Sequence, residues 1–207
     1  PNIDLSHAEA QRRREEGEFV GVADTDYAEE SAARMSTEAF AAVRQQLGRT
    51  YLPLVNGEYL NTAEFVDSLN PSNFSEVVGK VGLLSVEQAE EAMRAAKAAF
   101  PAWKKTPVQQ RAGVLRKAAD LMEARRAELS AWIVLEVGKP VKEADAEVSE
   151  AIDFCLYYAD EMERLDAGVI YDVAGETNRY IYQGRGIAVV ISPWNFPFAI
   201  AVGMTVA

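Results

Sequence analysis

Apolar residues recur at two spacings along the chain, and the shift between them divides it. Residues 1 to 35 show neither spacing: they are charged and poor in large apolar side chains, with "RRREEGE" a solvated run, and read as an arm, mobile or docked. From Ser36 the period becomes helical. Ser36 is placed to cap, Phe40, Val43 and Leu47 recur on one side, and Gly48 sits where a helix ends. "YLPLVNGEYL" then predicts two short strands around Asn56 and Gly57, the pair that a tight type I′ hairpin turn prefers. "EVVGKVGLL", residues 76 to 84, predicts a further strand, after which Ser85 and Gln88 form a capping box for a helix carrying Ala89, Ala92, Met93, Ala96 and Phe100 on one face. Thr106, Pro107 and Gln109 open the next helix, with Leu115, Ala119 and Met122 as its buried stripe. Gly138 and Pro140 punctuate its continuation. A long helix follows from about Lys142 to Leu165, with Ala144, Val148, Ile152, Cys155 and Ala159 aligned.

After Gly168 the period falls to two. "RYIYQGRGIAVVISP" alternates and then becomes continuously apolar, which predicts a strand over residues 187 to 191 inside a parallel sheet. The fold class is therefore α/β: helices and hairpin strands leading into the first strand of a parallel sheet.

Composition narrows the function. The 207 residues are 49% apolar, and 21 basic against 32 acidic side chains give a net charge of -11, which repels nucleic acid and anionic membrane. No run approaches the length of a membrane span. A single cysteine, Cys155, permits no internal disulfide and fits a reducing compartment, with the cytoplasm the default. The one histidine, His7, lies in the arm, and no metal-ligand cluster stands out, so no metal site is expected.

The loop from Ser192 to Pro197 is the most informative stretch. Two prolines stiffen the backbone around Trp194 and Asn195 at the carboxyl end of the expected strand, where open α/β sheets place their ligand crevices. A rigidly held asparagine offers two N–H donors to an oxyanion. The same residue equally suits a strand-to-helix turn in which Asn195 caps a helix beginning near Pro197.

"VVISPWNFPF" resembles the signature at the first nucleotide-domain strand of the aldehyde dehydrogenase superfamily. "LVNGEYL", "NPSNFSEVVGKV", "AMRAAKAAFPAWKKTPVQQRAGVLRKAADLME" and "LEVGKPVKEADAEVSEAIDFCLYYA" extend the resemblance upstream in register, over residues 51 to 207. "SEAIDFCLYYADEM" and the acidic front end are most similar to the 1-pyrroline-5-carboxylate branch, found as separate enzymes and as the C-terminal half of bifunctional proline-utilisation proteins. The resemblance implies an N-terminal arm and short helix over 1–50, the N-terminal part of an NAD-binding domain over 51–178, part of an oligomerisation hairpin over 179–185, and the first nucleotide-domain strand with the start of its helix over 186–207. It implies a homo-oligomer.

It also implies oxidation of glutamate γ-semialdehyde to glutamate with NAD, through a cysteine thiohemiacetal. Asn195 would be the catalytic oxyanion-hole amide. Ile191, Ser192, Pro193 and Trp194 would be cofactor-binding, lying against the nicotinamide ribose and pyrophosphate. Phe196 and Glu150 would be substrate-binding. The family's ribose-binding lysine, glutamate base and cysteine nucleophile would lie beyond Ala207, and Cys155, mid-helix on an apolar face, does not replace that nucleophile. Three other readings remain open: an aldehyde dehydrogenase of different substrate, a non-catalytic association module of the same fold, and an unrelated acidic helical interaction protein.

Overall fold

A computed structural model describes residues 17–207, so His7 and most of the "RRREEGE" run lie outside the described residues. The first helix, α1, spans Glu30–Arg44 and so starts ahead of the expected Ser36, which lies inside it without capping. "SAARM" consists largely of good helix formers, and Glu30 in the first turn complements the helix dipole, so the helix extends past a residue suited to end it. Val43 is buried, and Gly48 turns the chain with φ +74°.

Five strands follow: β1 (Arg49–Tyr51), β2 (Leu54–Val55), β3 (Glu58–Tyr59), β4 (Glu64–Asn70) and β5 (Asn73–Leu83). β2 and β3 form the expected hairpin, with Asn56 at φ 51° and Gly57 at φ 83°, both positive as the I′ turn requires. β5 is the centre of a three-stranded sheet ordered β1-β5-β4, parallel to β1 and antiparallel to β4.

Four helices come next: α2 (Val86–Lys105), α3 (Val108–Ala124), α4 (Arg126–Val137) and α5 (Val141–Asp166). The capping box at α2 is formed: Gln88 N–H donates to Ser85 Oγ at 3.2 Å and Ser85 N–H to Gln88 Oε1 at 3.0 Å. Its expected apolar stripe is not buried, however, for α2 has no buried residue. Amphipathic spacing makes the helix; only a neighbour makes a core. α3 starts one residue later than expected, with Pro107 at its cap and Thr106 ending α2.

The main core lies where α3 and α4 pack on α5. Ala119, Ile133, Ala144, Val148, Ile152 and Cys155 form one buried cluster, so the stripe read along α5 is the interior face. A second cluster of Val43, Val78, Ala131 and Leu135 ties α1 and β5 to α4. Part of the arm is docked: Val22 N–H donates to Asp153 Oδ1 at 2.8 Å, Thr25 N–H to Asp145 Oδ2 at 2.9 Å, and Arg126 Nη1 to the Ala23 carbonyl at 2.9 Å.

Beyond α5, β6 (Val169–Val173) and β7 (Glu176–Tyr180) form an antiparallel hairpin with every residue exposed. The strand expected over residues 187 to 191 is not formed, and Val189 is 68% exposed. A parallel strand needs neighbours on both sides for its backbone and a layer over each face. No strand among the described residues lies beside this segment. The chain then enters α6 (Ala199–Val206), which crosses α5 at Gly203, where a Cβ would meet the Phe154 ring at 2.7 Å. No helix of the described residues is long and apolar enough to cross a membrane.

Candidate functional site

The site grows out of the junction between α4 and α5. α4 ends at Gly138, whose φ of +73° is the left-handed conformation that glycine adopts freely, and Pro140 starts α5. Lys139 stands between these two constrained residues. Its ammonium pairs with the carboxylate of Glu147, further along α5, and lies 3.8 Å from the centroid of the Phe196 ring. Glu147 is 1% exposed at its side chain and Lys139 15%.

Glu147 also reaches the start of α6. Its Oε1 accepts hydrogen bonds from Phe198 N–H at 2.8 Å and Ala199 N–H at 3.1 Å. A helix start presents unpaired N–H groups and a positive dipole end, so an acidic oxygen there is doubly favoured. The helix begins at Ala199, near Pro197 as expected, with Phe198 at the cap position, and Asn195 does not cap it. The capping alternative for Asn195 is thereby corrected: the role belongs to a carboxylate from another helix.

Asn195 is exposed, in a turn closed by Phe196 N–H donating to the Pro193 carbonyl at 3.3 Å. Ile191 is 81% and Trp194 82% exposed, whereas Ser192 is half-buried. Glu150 is half-buried on α5 and takes part in none of the contacts that join Glu147 to the loop. Of the residues singled out from sequence, the structure thus holds Phe196 against the buried pair and leaves Ile191, Trp194 and Asn195 outward on one loop. Sequence reasoning missed Lys139 and Glu147. The available signal was Glu147 itself, a charge on the apolar side of α5 between Ala144 and Val148 on one flank and Ala151 on the other.

A second buried charge pair lies further back. Arg126 donates from Nε to Asp145 Oδ1 at 2.8 Å and from Nη2 to Oδ2 at 2.7 Å, while Thr25 Oγ1 donates to Oδ1 at 2.8 Å. Burial pushes the Asp145 carboxyl up, but the bonds from Arg126 and Thr25 outweigh it and hold the group below the usual carboxylate range. This pair docks the arm. Burial pushes the Cys155 thiol up, which keeps it protonated and inert. A cavity of about 330 Å³, lined by Trp103, Arg111, Leu115, Tyr158, Met162 and Thr205, lies at the far end of α5, away from the Asn195 loop. Among the described residues no group of histidine, cysteine and acidic side chains is arranged to hold a metal ion.

A proline-flanked turn tied to a buried lysine–glutamate pair is the most constrained polar feature of this end of the molecule, and comparison with known proteins gives it a family. Residues 59–207 match the model of the aldehyde dehydrogenase family, and the chain belongs to that family. Among curated relatives it is 47% identical to a 1-pyrroline-5-carboxylate dehydrogenase of Geobacillus sp. (strain WCH70) and 44% identical to one of Bacillus subtilis (strain 168), each over 88% of this chain and 36% of the relative. The chain thus spans just over a third of the length of these relatives. Among solved structures, 1-pyrroline-5-carboxylate dehydrogenase from Thermus with bound NAD superposes with a TM-score of 0.86 at 44% identity, over 91% of this chain and 37% of that one. Proline utilization A from Bdellovibrio bacteriovorus superposes with a TM-score of 0.87 at 40% identity, over 92% and 20%.

Proposed function

We propose that the chain is the N-terminal portion of an NAD-dependent aldehyde dehydrogenase of the cytoplasm that oxidises glutamate γ-semialdehyde, the open form of 1-pyrroline-5-carboxylate, to glutamate. The observation that carries the reading is the state of Asn195: an exposed carboxamide in a stiff turn, relieved of helix capping by Glu147. Its N–H donors suit the aldehyde oxygen as charge builds there during nucleophilic addition, an interaction that strengthens along the reaction path. The Phe196 ring supplies an apolar wall for the aldehyde's chain. Glu150 stands on the helix below, where an acidic side chain would limit how long that chain can be.

The residues fit one wall of a dinucleotide site. Ile191 and Trp194 expose apolar surface on either side of Pro193, with the Ser192 hydroxyl between them. When bound, NAD accepts the hydride; the chain's own part is to orient the aldehyde carbon and exclude water from it. The nucleophile and the base belong to sequence following Ala207 in this reading, since Cys155 is buried and protonated.

A homo-oligomer is proposed alongside. β6 and β7 expose Ile170, Tyr171, Val173 and Tyr180 on a two-stranded ribbon with free edges, which suits strand pairing with a second copy.

The test of the catalytic reading is Asn195→Ala in a protein of the relatives' length carrying this sequence. Turnover of glutamate γ-semialdehyde should fall on the order of 100-fold or more, with NAD affinity nearly unchanged, as for removal of one oxyanion donor. Turnover within a few-fold of the parent would sink the oxyanion role.

A further inference from the structure

We propose that Lys139 and Glu147 are positioning residues for the Trp194–Phe196 turn, a buried ion pair that sets where Asn195 and Phe196 stand relative to a bound aldehyde. The inference rests on the catalytic reading of that turn given above. Neither side chain was singled out by the sequence, and Glu147 is a charged group among the largest fully buried side chains of the molecule.

Both oxygens of the Glu147 carboxylate are committed, and to different things. Oε1 takes the Phe198 and Ala199 amides, and Oε2 takes the Lys139 ammonium. An ordinary helix cap comes from the residue just before the helix and moves with it. Here it comes from α5, so the start of α6 is pinned to the main core. Phe196 lies two residues before the first pinned amide.

The second contact runs through Lys139. Its ammonium neutralises Glu147 and at the same time lies 3.8 Å from the Phe196 ring centroid, a cation–π geometry in a largely desolvated place. The left-handed turn at Gly138 and the restriction that Pro140 places on the residue before it set the backbone from which Lys139 extends. The turn's own closure is a single 3.3 Å bond, from Phe196 N–H to the Pro193 carbonyl. The place of the turn therefore depends on what holds it from outside, and that is the pair.

A pair that merely stabilised the fold would affect every kinetic constant alike. A positioning pair splits them. In a protein of the relatives' length carrying this sequence, kcat and KM for the aldehyde and for NAD are measured in Glu147→Ala, Glu147→Gln, Lys139→Met and Lys139→Arg, with amide hydrogen exchange at Phe198 and Ala199 read in the absence of substrate. Glu147→Ala should lower kcat/KM for the aldehyde on the order of 100-fold, the cost of a misplacement of about 1 Å, and should speed exchange at both amides. Glu147→Gln keeps an acceptor and should recover most of both. Lys139→Met frees the Phe196 ring and also strands the buried Glu147 carboxylate, so the melting temperature should fall; its distinguishing mark should be a KM for the aldehyde raised well beyond that for NAD, and Lys139→Arg should restore it.

Equal losses in the aldehyde and NAD constants, tracking a fall in melting temperature, would overturn the proposal. So would a parental KM for the aldehyde in Lys139→Met, the variant that carries the test if Glu147→Ala does not fold. A silent Asn195→Ala beside an aldehyde-specific defect in Lys139→Met would remove the oxyanion reading and leave the placement of Phe196 standing.

Discussion

Helices α2 and α5 carry apolar stripes of similar regularity and end in opposite environments. On α5, Ala144, Val148, Ile152, Cys155 and Ala159 are sealed under α3, α4 and α6; on α2, Ala89, Ala92, Met93, Ala96 and Phe100 face no core, and no residue of that helix is buried. The difference lies in the neighbours. A stripe at 3.6-residue spacing makes a helix able to bury one face, but the stabilisation of about 25 cal/mol per Å² appears only when a partner removes that face from water. α2 is held by its ends: the Ser85–Gln88 box, with Gln88 Nε2 donating to the Asn61 carbonyl at 2.9 Å, and lysines in its last turn.

The sharpest way to break the comparison is to attack the charge buried against α5. Arg126→Met should cost about 3–5 kcal/mol, because it strands the Asp145 carboxylate out of water, and urea denaturation at neutral pH measures it. The pH response should invert as well. In the parent the folded-state pKa of Asp145 is depressed, so its contribution is fully present above the unfolded carboxyl value of about 3.9 and is lost as pH falls through the lower folded value. Without the guanidinium, burial dominates and the folded value rises. Stability should then improve as pH falls through that raised value toward the unfolded one. A stability loss that stays the same from neutral pH down to pH values near the carboxyl range would refute the account of Asp145.

The two stripes themselves give the next contrast. Ile152→Ala should cost about 2–5 kcal/mol as a core truncation, whereas Met93→Ala on α2 should fall within roughly 0.5 kcal/mol of the parent, as for an exposed site. Paired denaturation curves decide it, and a comparable loss at both positions would mean that α2 is packed against something in solution. The smallest effect is expected at the α2 start. Ser85→Ala removes a cap worth about 1 kcal/mol, and because the helix is unburied the loss should show as faster amide exchange in its first turn, with little change in the unfolding midpoint.

The legible parts of the molecule are those whose causes are local. The I′ turn at Asn56 and Gly57, the Ser85–Gln88 box, the Gly138 terminator and the α5 stripe each follow from a few adjacent side chains, and each is present. Residues 187 to 191 failed for the opposite reason: continuous apolar sequence describes a segment that must be covered, and covering strands are a property of the whole fold. Ser36 failed because its neighbours are helix formers that override a cap preference. The belonging to a dehydrogenase family was legible in "VVISPWNFPF" and its upstream register, and the family model matches residues 59–207. What escaped was the support beneath the loop. Lys139 and Glu147 lie far from Phe196 in sequence, and the fold alone brings the ammonium over the ring.

Cys155 gives the molecule a built-in clock. It is the one thiol in the chain, fully buried in the main core, and burial holds it in the unreactive protonated form. An alkylating reagent cannot reach it while α3, α4 and α5 remain together, so each labelled molecule records an opening of that core, and the labelling rate at saturating reagent is the opening rate itself. Native mass spectrometry of a labelled sample would therefore count how often the helices part.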